Sequence, residues 1–187
     1  IILFILLSQT LITHSQNALG PIGQWREHYN NTNLLHVVKG DKIYGASWYQ
    51  LLSVDASNAI DFIGKSNGLQ TVGIKAIQWD PIHAQLLVTY ENSAMDILQG
   101  DQVIPINALV KTNLYPNNKI NSIYMMGNWA LLSTSFGIVV IDLIKPEIKD
   151  TWFPNNLRQN SNTYQIACTT DSLYAATEYG VFRTALK

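Results

Sequence analysis

The feature that most constrains this chain is that it repeats itself. Three segments share one shape: Lys42-Ile-Tyr-Gly-Ala-Ser-Trp-Tyr-Gln-Leu-Leu-Ser-Val-Asp55, Trp129-Ala-Leu-Leu-Ser-Thr-Ser-Phe-Gly-Ile-Val-Val-Ile-Asp142 and Leu173-Tyr-Ala-Ala-Thr-Glu-Tyr-Gly-Val-Phe-Arg183. A weaker fourth copy runs Leu86-Leu-Val-Thr-Tyr-Glu-Asn-Ser-Ala-Met-Asp-Ile-Leu98. Aligned on the turn in each copy, they place Gln50, Ser93, Gly137 and Gly180 at spacings of 43, 44 and 43 residues. A fixed period of this size is the sequence mark of stacked supersecondary units.

Each copy carries the same punctuation. A β-rich run comes first, at 35–39, 74–79, 120–126 and 164–169. A turn follows on Gly40-Asp41, Asp80-Pro81, Gly127-Asn128 or Thr170-Asp171, and then two more runs flank the aligned turn. A fourth run closes the first three copies, at 59–64, 102–106 and 147–152. Gly, Asn, Asp and Pro stand where hairpins need them. The unit is four short antiparallel strands in about 43 residues, which is the content of a β-propeller blade. A four-stranded sheet has two apolar faces and covers neither alone, so repetition around an axis buries both. A β-sandwich also spaces its strands evenly, but has no reason to repeat its sequence. The expected architecture is an all-β propeller with about four blades, near 34–69, 74–110, 120–155 and 164–187. The inner strands 74–79 and 120–126 are expected to be apolar and close-packed. The fourth copy stops before its fourth strand, so the chain reads as part of a larger, seven-bladed-type propeller. A strand at 24–29 closing a four-bladed ring is the other reading.

Composition narrows the function. Charged residues make up 13% of the 187 and the formal net charge is −1, against roughly 25% charged in ordinary soluble chains. No basic field exists to hold a phosphate backbone, so nucleic acid is not an expected partner. The 17 Asn, 11 Gly and 6 Pro supply turns, and 5 Trp, 9 Tyr and 5 Phe suit strands. A lone cysteine, Cys168, excludes an internal disulfide framework and reads as a small core residue. Residues 1–12 are almost wholly apolar, too short for the ~20 residues of a membrane helix but right for the apolar part of a signal peptide. With Thr13 and Ser15 at the small positions of a cut after Ser15, 1–15 is expected to be a clipped signal peptide and 16–187 the exported propeller domain. No transmembrane segment is expected in the mature chain.

Chemistry-bearing motifs are scarce. His28, His36 and His83 sit singly, with no ligand-spaced partner. No nucleophile elbow, phosphate loop or dinucleotide fingerprint occurs. Asp55 and Asp61 flank Ala-Ser-Asn-Ala-Ile but lack the alternating oxygens and Gly of a calcium loop. Asn30-Asn31-Thr32 is a formal glycosylation sequon. No catalytic set, metal or cofactor is expected. What recurs is the turn between second and third strands, which puts Trp48, Tyr49, Tyr90, Glu91, Phe136, Glu178 and Tyr179 at equivalent places around one face. Aromatics beside carboxylates there can stack on and hydrogen-bond a sugar or peptide. The competing reading packs each aromatic against the next blade.

The last repeat resembles the two-component-regulator propeller repeat, with its strand, Thr-x-x-Gly turn and strand. Four longer stretches are similar to the first propeller of the PorZ-type proteins of the Bacteroidota type IX secretion system. They are Gly23-Gln-Trp-Arg-Glu-His28, Lys65-Ser-Asn-Gly-Leu-Gln-Thr-Val-Gly-Ile74, Lys119-Ile-Asn-Ser-Ile-Tyr124, and Phe136-Gly-Ile-Val-Val-Ile-Asp142 through Glu147-Ile-Lys-Asp150. The resemblance implies two large propellers and a C-terminal sandwich-like secretion domain in the whole protein. It implies a periplasmic or outer-membrane cell-surface location in the attachment complex. The partners implied are the cysteine-protease sortase, other attachment-complex proteins and anionic lipopolysaccharide. The PorZ-type subunit is implied to be a non-enzymatic scaffold, and no family catalytic residue maps onto this chain. Two other functions share the blade pattern. A glycan-sensing periplasmic ectodomain of a hybrid two-component regulator would need a membrane helix and kinase after it. A polysaccharide lyase would need His, Asp and Arg clustered in equivalent turns.

Overall fold

The computed structural model describes residue 29 and residues 33–111, 118–154 and 160–186. The leader-like segment 1–15, the run 24–28 and the Asn30-Asn31-Thr32 sequon lie outside the described residues. Four antiparallel sheets follow one another along the chain, each with its strands in sequence order. Blade 1 holds β1 (His36–Lys39), β2 (Ile43–Ala46), β3 (Leu51–Val54) and β4 (Ile60–Ile63). Blade 2 holds β5 (Ile74–Asp80), β6 (Gln85–Tyr90), β7 (Met95–Gln99) and β8 (Gln102–Ile106). Blade 3 holds β9 (Ile120–Met126), β10 (Trp129–Thr134), β11 (Gly137–Asp142) and β12 (Glu147–Trp152). Blade 4 holds β13 (Thr163–Cys168), β14 (Ser172–Thr177) and β15 (Gly180–Ala185). A 3-10 turn at Lys65–Asn67 and the short helix α1 (Ala108–Lys111) are the helical pieces among the described residues. The all-β propeller architecture expected from the repeat is the one found.

The first strands of consecutive blades lie beside one another, β1 by β5, β5 by β9 and β9 by β13, so the sheets converge on their first strands. Between the sheets lie three apolar clusters. Tyr44, Ala46 and Leu51 of blade 1 meet Ile74, Leu86, Val88 and Leu98 of blade 2. Leu87, Met95 and Ile97 of blade 2 meet Ala130, Leu132, Val139 and Ile141 of blade 3. Leu131, Ile138 and Val140 of blade 3 meet Ile166, Leu173 and Ala175 of blade 4. Strand alternation explains the sharing: neighbouring side chains point to opposite faces, so one strand serves two interfaces. Each fully buried aliphatic contributes about 1.5–3 kcal/mol, and a continuous run such as Leu-Leu-Val in β6 is what a strand covered on both faces requires.

Burial is deepest where the sequence reading did not place it. Every residue of β6 is buried, and all but the last of β11, while β9 is half-buried along most of its length. In blades 2 and 3 the second and third strands sit mid-sheet and are covered on both faces. First strands lie at the inner edge, where the packing is looser.

Leu131 and Leu132 are adjacent, yet they serve different interfaces. Replacing either by Ala is expected to lower stability by about 2–5 kcal/mol, read from urea unfolding. Hydrogen exchange separates them: Leu132→Ala loosens β6 and β7, whereas Leu131→Ala loosens β13 and β14. Costs below about 1 kcal/mol, or the reverse exchange pattern, would refute the two-sided packing.

Candidate functional site

The recurring turn is closed by a side-chain hydroxyl. In blade 1 the Ser47 hydroxyl donates to the Gln50 carbonyl at 3.1 Å and accepts the Tyr49 and Gln50 amides at 3.2 Å each. In blade 3 Thr134 donates to the Gly137 carbonyl at 2.9 Å and accepts the Phe136 amide at 3.3 Å. In blade 4 Thr177 donates to the Gly180 carbonyl at 3.0 Å and accepts the Tyr179 amide at 3.1 Å. The Ser/Thr-x-x-Gly/Gln spacing is therefore a local hydrogen-bonding device. Blade 2 differs. Its Tyr90 amide donates to the Ala94 carbonyl, the Asn92 side chain takes the place of the hydroxyl, and Ser93 adopts φ 66°. That loop is one residue longer, a three-residue hairpin loop with its left-handed residue last, and it accounts for the single 44-residue spacing.

These turns are laced to the segments that enter the first strands, the Trp48 turn to that of the next blade and the others to that of their own. The Trp48 carbonyl accepts the Gly73 amide at 2.7 Å and the Ile74 amide at 3.1 Å, and the Gly73 carbonyl accepts the Glu91 amide at 2.9 Å. The Glu178 amide donates to the Asn162 carbonyl at 3.0 Å, and the Ser135 amide to the Lys119 carbonyl at 3.0 Å. Gly73 has φ 86°, and a Cβ there would stand 3.4 Å from the Trp48 ring. Glycine thus permits the left-handed backbone there, and the indole lies in ordinary contact range of that position.

The seven turn residues divide into two groups. Tyr90 and Phe136 are buried, packed in the blade interfaces, and form no part of an exposed surface. Trp48 is 43% exposed, Tyr49 41% and Tyr179 66%. Tyr49 stacks on Tyr29 with ring centroids 4.8 Å apart. Glu91 pairs with Lys75 at 3.0 Å, an exposed pair of small energetic worth. Glu178 accepts the Asn162 amide at 2.8 Å. The outcome at each position follows from the neighbouring blade: with equivalent turns, Phe136 enters the blade 2–3 cluster and Tyr179 stays exposed.

Behind this face lies a polar cluster that the sequence did not reveal. The buried Asp96 carboxylate accepts the Tyr90 hydroxyl at 2.5 Å, the Gln70 amide at 3.1 Å and the Gln70 side-chain nitrogen at 2.7 Å. Gln70 also donates to the Met95 carbonyl at 2.6 Å, tying the segment between blades 1 and 2 to β7. Burial pushes the Asp96 carboxyl above its ordinary range despite these donors, and it pushes the Tyr90 hydroxyl strongly up.

Other candidate groups have structural partners. His83 contacts the buried Asp80 at 2.6 Å, and the Gln85 amide bridges Asp80 and the Leu143 carbonyl of blade 3. Asp55 accepts the Ser57 and Ala59 amides and the Ser57 hydroxyl within its own hairpin. Cys168 packs beside the blade 3–4 cluster, and burial raises its thiol pKa, opposite to an activated nucleophile. Among the described residues no group of three metal-ligating side chains occurs. No described helix is long and apolar enough to cross a membrane. A further feature that sequence reading missed is a cleft of about 560 Å³ between blades 3 and 4, lined by Trp129, Trp152, Phe153 and Phe182 among others. Its residues lie on separate strands, and only the assembled sheets bring them together.

Residues 43–187 match the N-terminal β-propeller domain family of PorZ from the type IX secretion system. No curated protein sequence matches the chain. Among solved structures it is similar to PorZ of Porphyromonas gingivalis, described as an essential bacterial surface component of that system, at 20% identity and a TM-score of 0.70. The match covers 81% of this chain and 22% of PorZ. The extracellular domain of a putative hybrid two-component system from B. thetaiotaomicron matches at 18% identity and a TM-score of 0.58, covering 82% of this chain and 20% of the other. The extracellular domain of a putative one-component system from the same organism matches at 15% identity and a TM-score of 0.61, covering 85% and 22%. The chain therefore spans about a fifth of the length of the solved proteins it resembles.

The raised Asp96 pKa gives a signed prediction. Its folded-state value lies above the unfolded one, so its contribution to stability is fully present below the unfolded pKa and is lost as pH rises through the folded pKa. Thermal unfolding across acid to neutral pH is expected to show the advantage of the wild type over Asp96→Asn shrinking with rising pH. An advantage that grows over that range would contradict the assignment.

Proposed function

Since the chain belongs to the PorZ N-terminal β-propeller family, we propose that it is a non-enzymatic binding propeller exported to the cell surface. There it acts as a scaffold of the type IX attachment complex, supporting the sortase and the joining of cargo to anionic lipopolysaccharide. The observation that carries this reading is the family match over residues 43–187 of an all-β arc. The surface we assign to partners is the turn face of Trp48, Tyr49, Glu91, Glu178 and Tyr179. Tyr90 and Phe136 support it from within the blade interfaces. Trp48 is held by the two amides on its carbonyl and by its approach to Gly73, so it binds without first being ordered.

The glycan-sensing ectodomain of a hybrid two-component regulator is the second reading, favoured by the likeness to such an extracellular domain. The family match over residues 43–187 ranks it second.

The test uses the full-length protein, tagged and expressed in its own host. The wild type is expected to co-purify the cysteine-protease sortase and anionic lipopolysaccharide. A Trp48→Ala/Tyr179→Ala double variant is expected to capture at least tenfold less of either partner, with a Tm within about 2 °C of wild type. Absence of both partners from the wild-type preparation would refute the scaffold reading. Equal capture by the variant would refute the surface alone. Turnover of a surface polysaccharide by the purified protein would refute the non-enzymatic assignment.

A further inference from the structure

Blade 2 departs from the repeat at two places, and the two departures touch each other. The strand registers set Val88 opposite Asp96 where the other blades set Gly45 opposite Leu52, Leu132 opposite Val139 and Ala175 opposite Phe182. This third-strand place is apolar in blades 1, 3 and 4, and in blade 2 it holds a fully buried carboxylate. Two residues along the second strand, Tyr90 occupies the place of Ser47, Thr134 and Thr177, whose hydroxyls close their own turns. The Tyr90 hydroxyl instead donates to Asp96 at 2.5 Å. A carboxylate placed where its counterparts are apolar is a local cost of the kind that sequences carry at functional positions. The seam itself does not call for it: the blade 2–3 seam is built with Val139 in the equivalent place.

The pair holds the connector from blade 1 to blade 2. Asp96 accepts both the Gln70 amide and the Gln70 side-chain nitrogen, and that nitrogen also donates to the Met95 carbonyl. Leu69, one residue earlier, is buried in the blade 1–2 cluster, and its amide donates to the Gly64 carbonyl. Three residues after Gln70, Gly73 bonds to two turns of the exposed face. Its amide donates to the Trp48 carbonyl, and its carbonyl accepts the Glu91 amide. Three residues reach at most about 11 Å, so the place of Gln70 limits where Gly73 can stand. Gly73 in turn is the shared partner of the Trp48 turn in blade 1 and the Glu91 turn in blade 2.

We infer that Tyr90, Asp96 and Gln70 are positioning residues for the Trp48–Glu91 part of the partner surface, acting through the connector at Gly73. The inference rests on the reading of that turn face as the surface for partners. Asp96 fixes Gln70, Gln70 fixes the connector, and the connector sets the Trp48 turn against the Glu91 turn. Asp96 and Tyr90 are fully buried and do not meet a partner themselves. They order the exposed indole and carboxylate beforehand, so that binding does not have to.

The test compares full-length wild type with a Tyr90→Phe/Asp96→Leu double variant, which gives blade 2 the leucine that blade 1 carries at Leu52. Exchanging a buried polar pair for apolar groups of similar volume is often neutral or stabilising. The Tm is therefore expected to lie no more than about 2 °C below that of wild type. Hydrogen exchange read by mass spectrometry is expected to be about tenfold faster over 70–75 and at the Glu91 turn, with β9–β11 unchanged. Capture of the sortase or of anionic lipopolysaccharide is expected to fall about fivefold or more. A second variant, Gln70→Met, cuts the link from the connector side and keeps the Tyr90–Asp96 bond, so the test does not depend on the first variant folding. It is expected to show the same exchange pattern and the same loss of capture. Unchanged exchange over 70–75 in either folded variant would overturn the inference, and so would faster exchange with undiminished capture. A wild type that captures neither partner would overturn the partner-surface reading itself, and the inference with it; that outcome needs no variant to be seen.

Discussion

The structure rests on seams between sheets: blades 2 and 3 are covered from both sides, and blades 1 and 4 each share one described seam. A four-stranded sheet of about 43 residues has no core of its own, and its apolar side chains alternate between two faces. Leu86 and Leu87, or Leu131 and Leu132, point in opposite directions and enter different clusters. The hydrophobic term is thus not pooled in one centre but divided among successive seams. Polar residues follow the same logic. Asp96, buried in blade 2, is satisfied by Gln70 from the segment between blades 1 and 2, and Gln85 reaches the Leu143 carbonyl of blade 3. These two buried polar groups act across the seams, where an unsatisfied partner would be expensive.

The turn face is a by-product of that constraint that became a candidate surface. Hydroxyls of Ser47, Thr134 and Thr177 close the loops, and backbone bonds from each loop hold the start of an inner strand. The loops are therefore held by hydrogen bonds at both their closing residue and their approach to an inner strand. Rigid exposed aromatics give contact area at low entropic cost, which is why Trp48, Tyr49 and Tyr179 suit recognition better than the same residues on a mobile loop.

The fold was legible because repetition, strand runs and turn residues are local signals that agree with one another. The site was legible only in part. Period and spacing locate the turn, but they do not say which way its aromatic points. Phe136 and Tyr179 occupy the same place in the repeat, yet one is inside and the other 66% exposed. The difference lies in what the neighbouring blade offers, which is tertiary. The 44-residue spacing hid a one-residue insertion at Asn92-Ser93, because a loop length is invisible until its closing hydrogen bond is known. Asp96 reads in the sequence as one more polar residue between Met95 and Ile97, and only the arrival of Gln70 from 26 positions away gives it a role.

The division of the core into seams also sets how the molecule answers to force. Among the described residues each apolar cluster joins two consecutive sheets, so a pull applied at one end is not shared over all of them. Tension reaches one seam at a time. Pulled apart along the chain, the described sheets part at one seam while the other seams keep their clusters. The extension released at each step is the contour of a single repeat, so the same periodicity that is written in the sequence becomes a ruler for its mechanical failure.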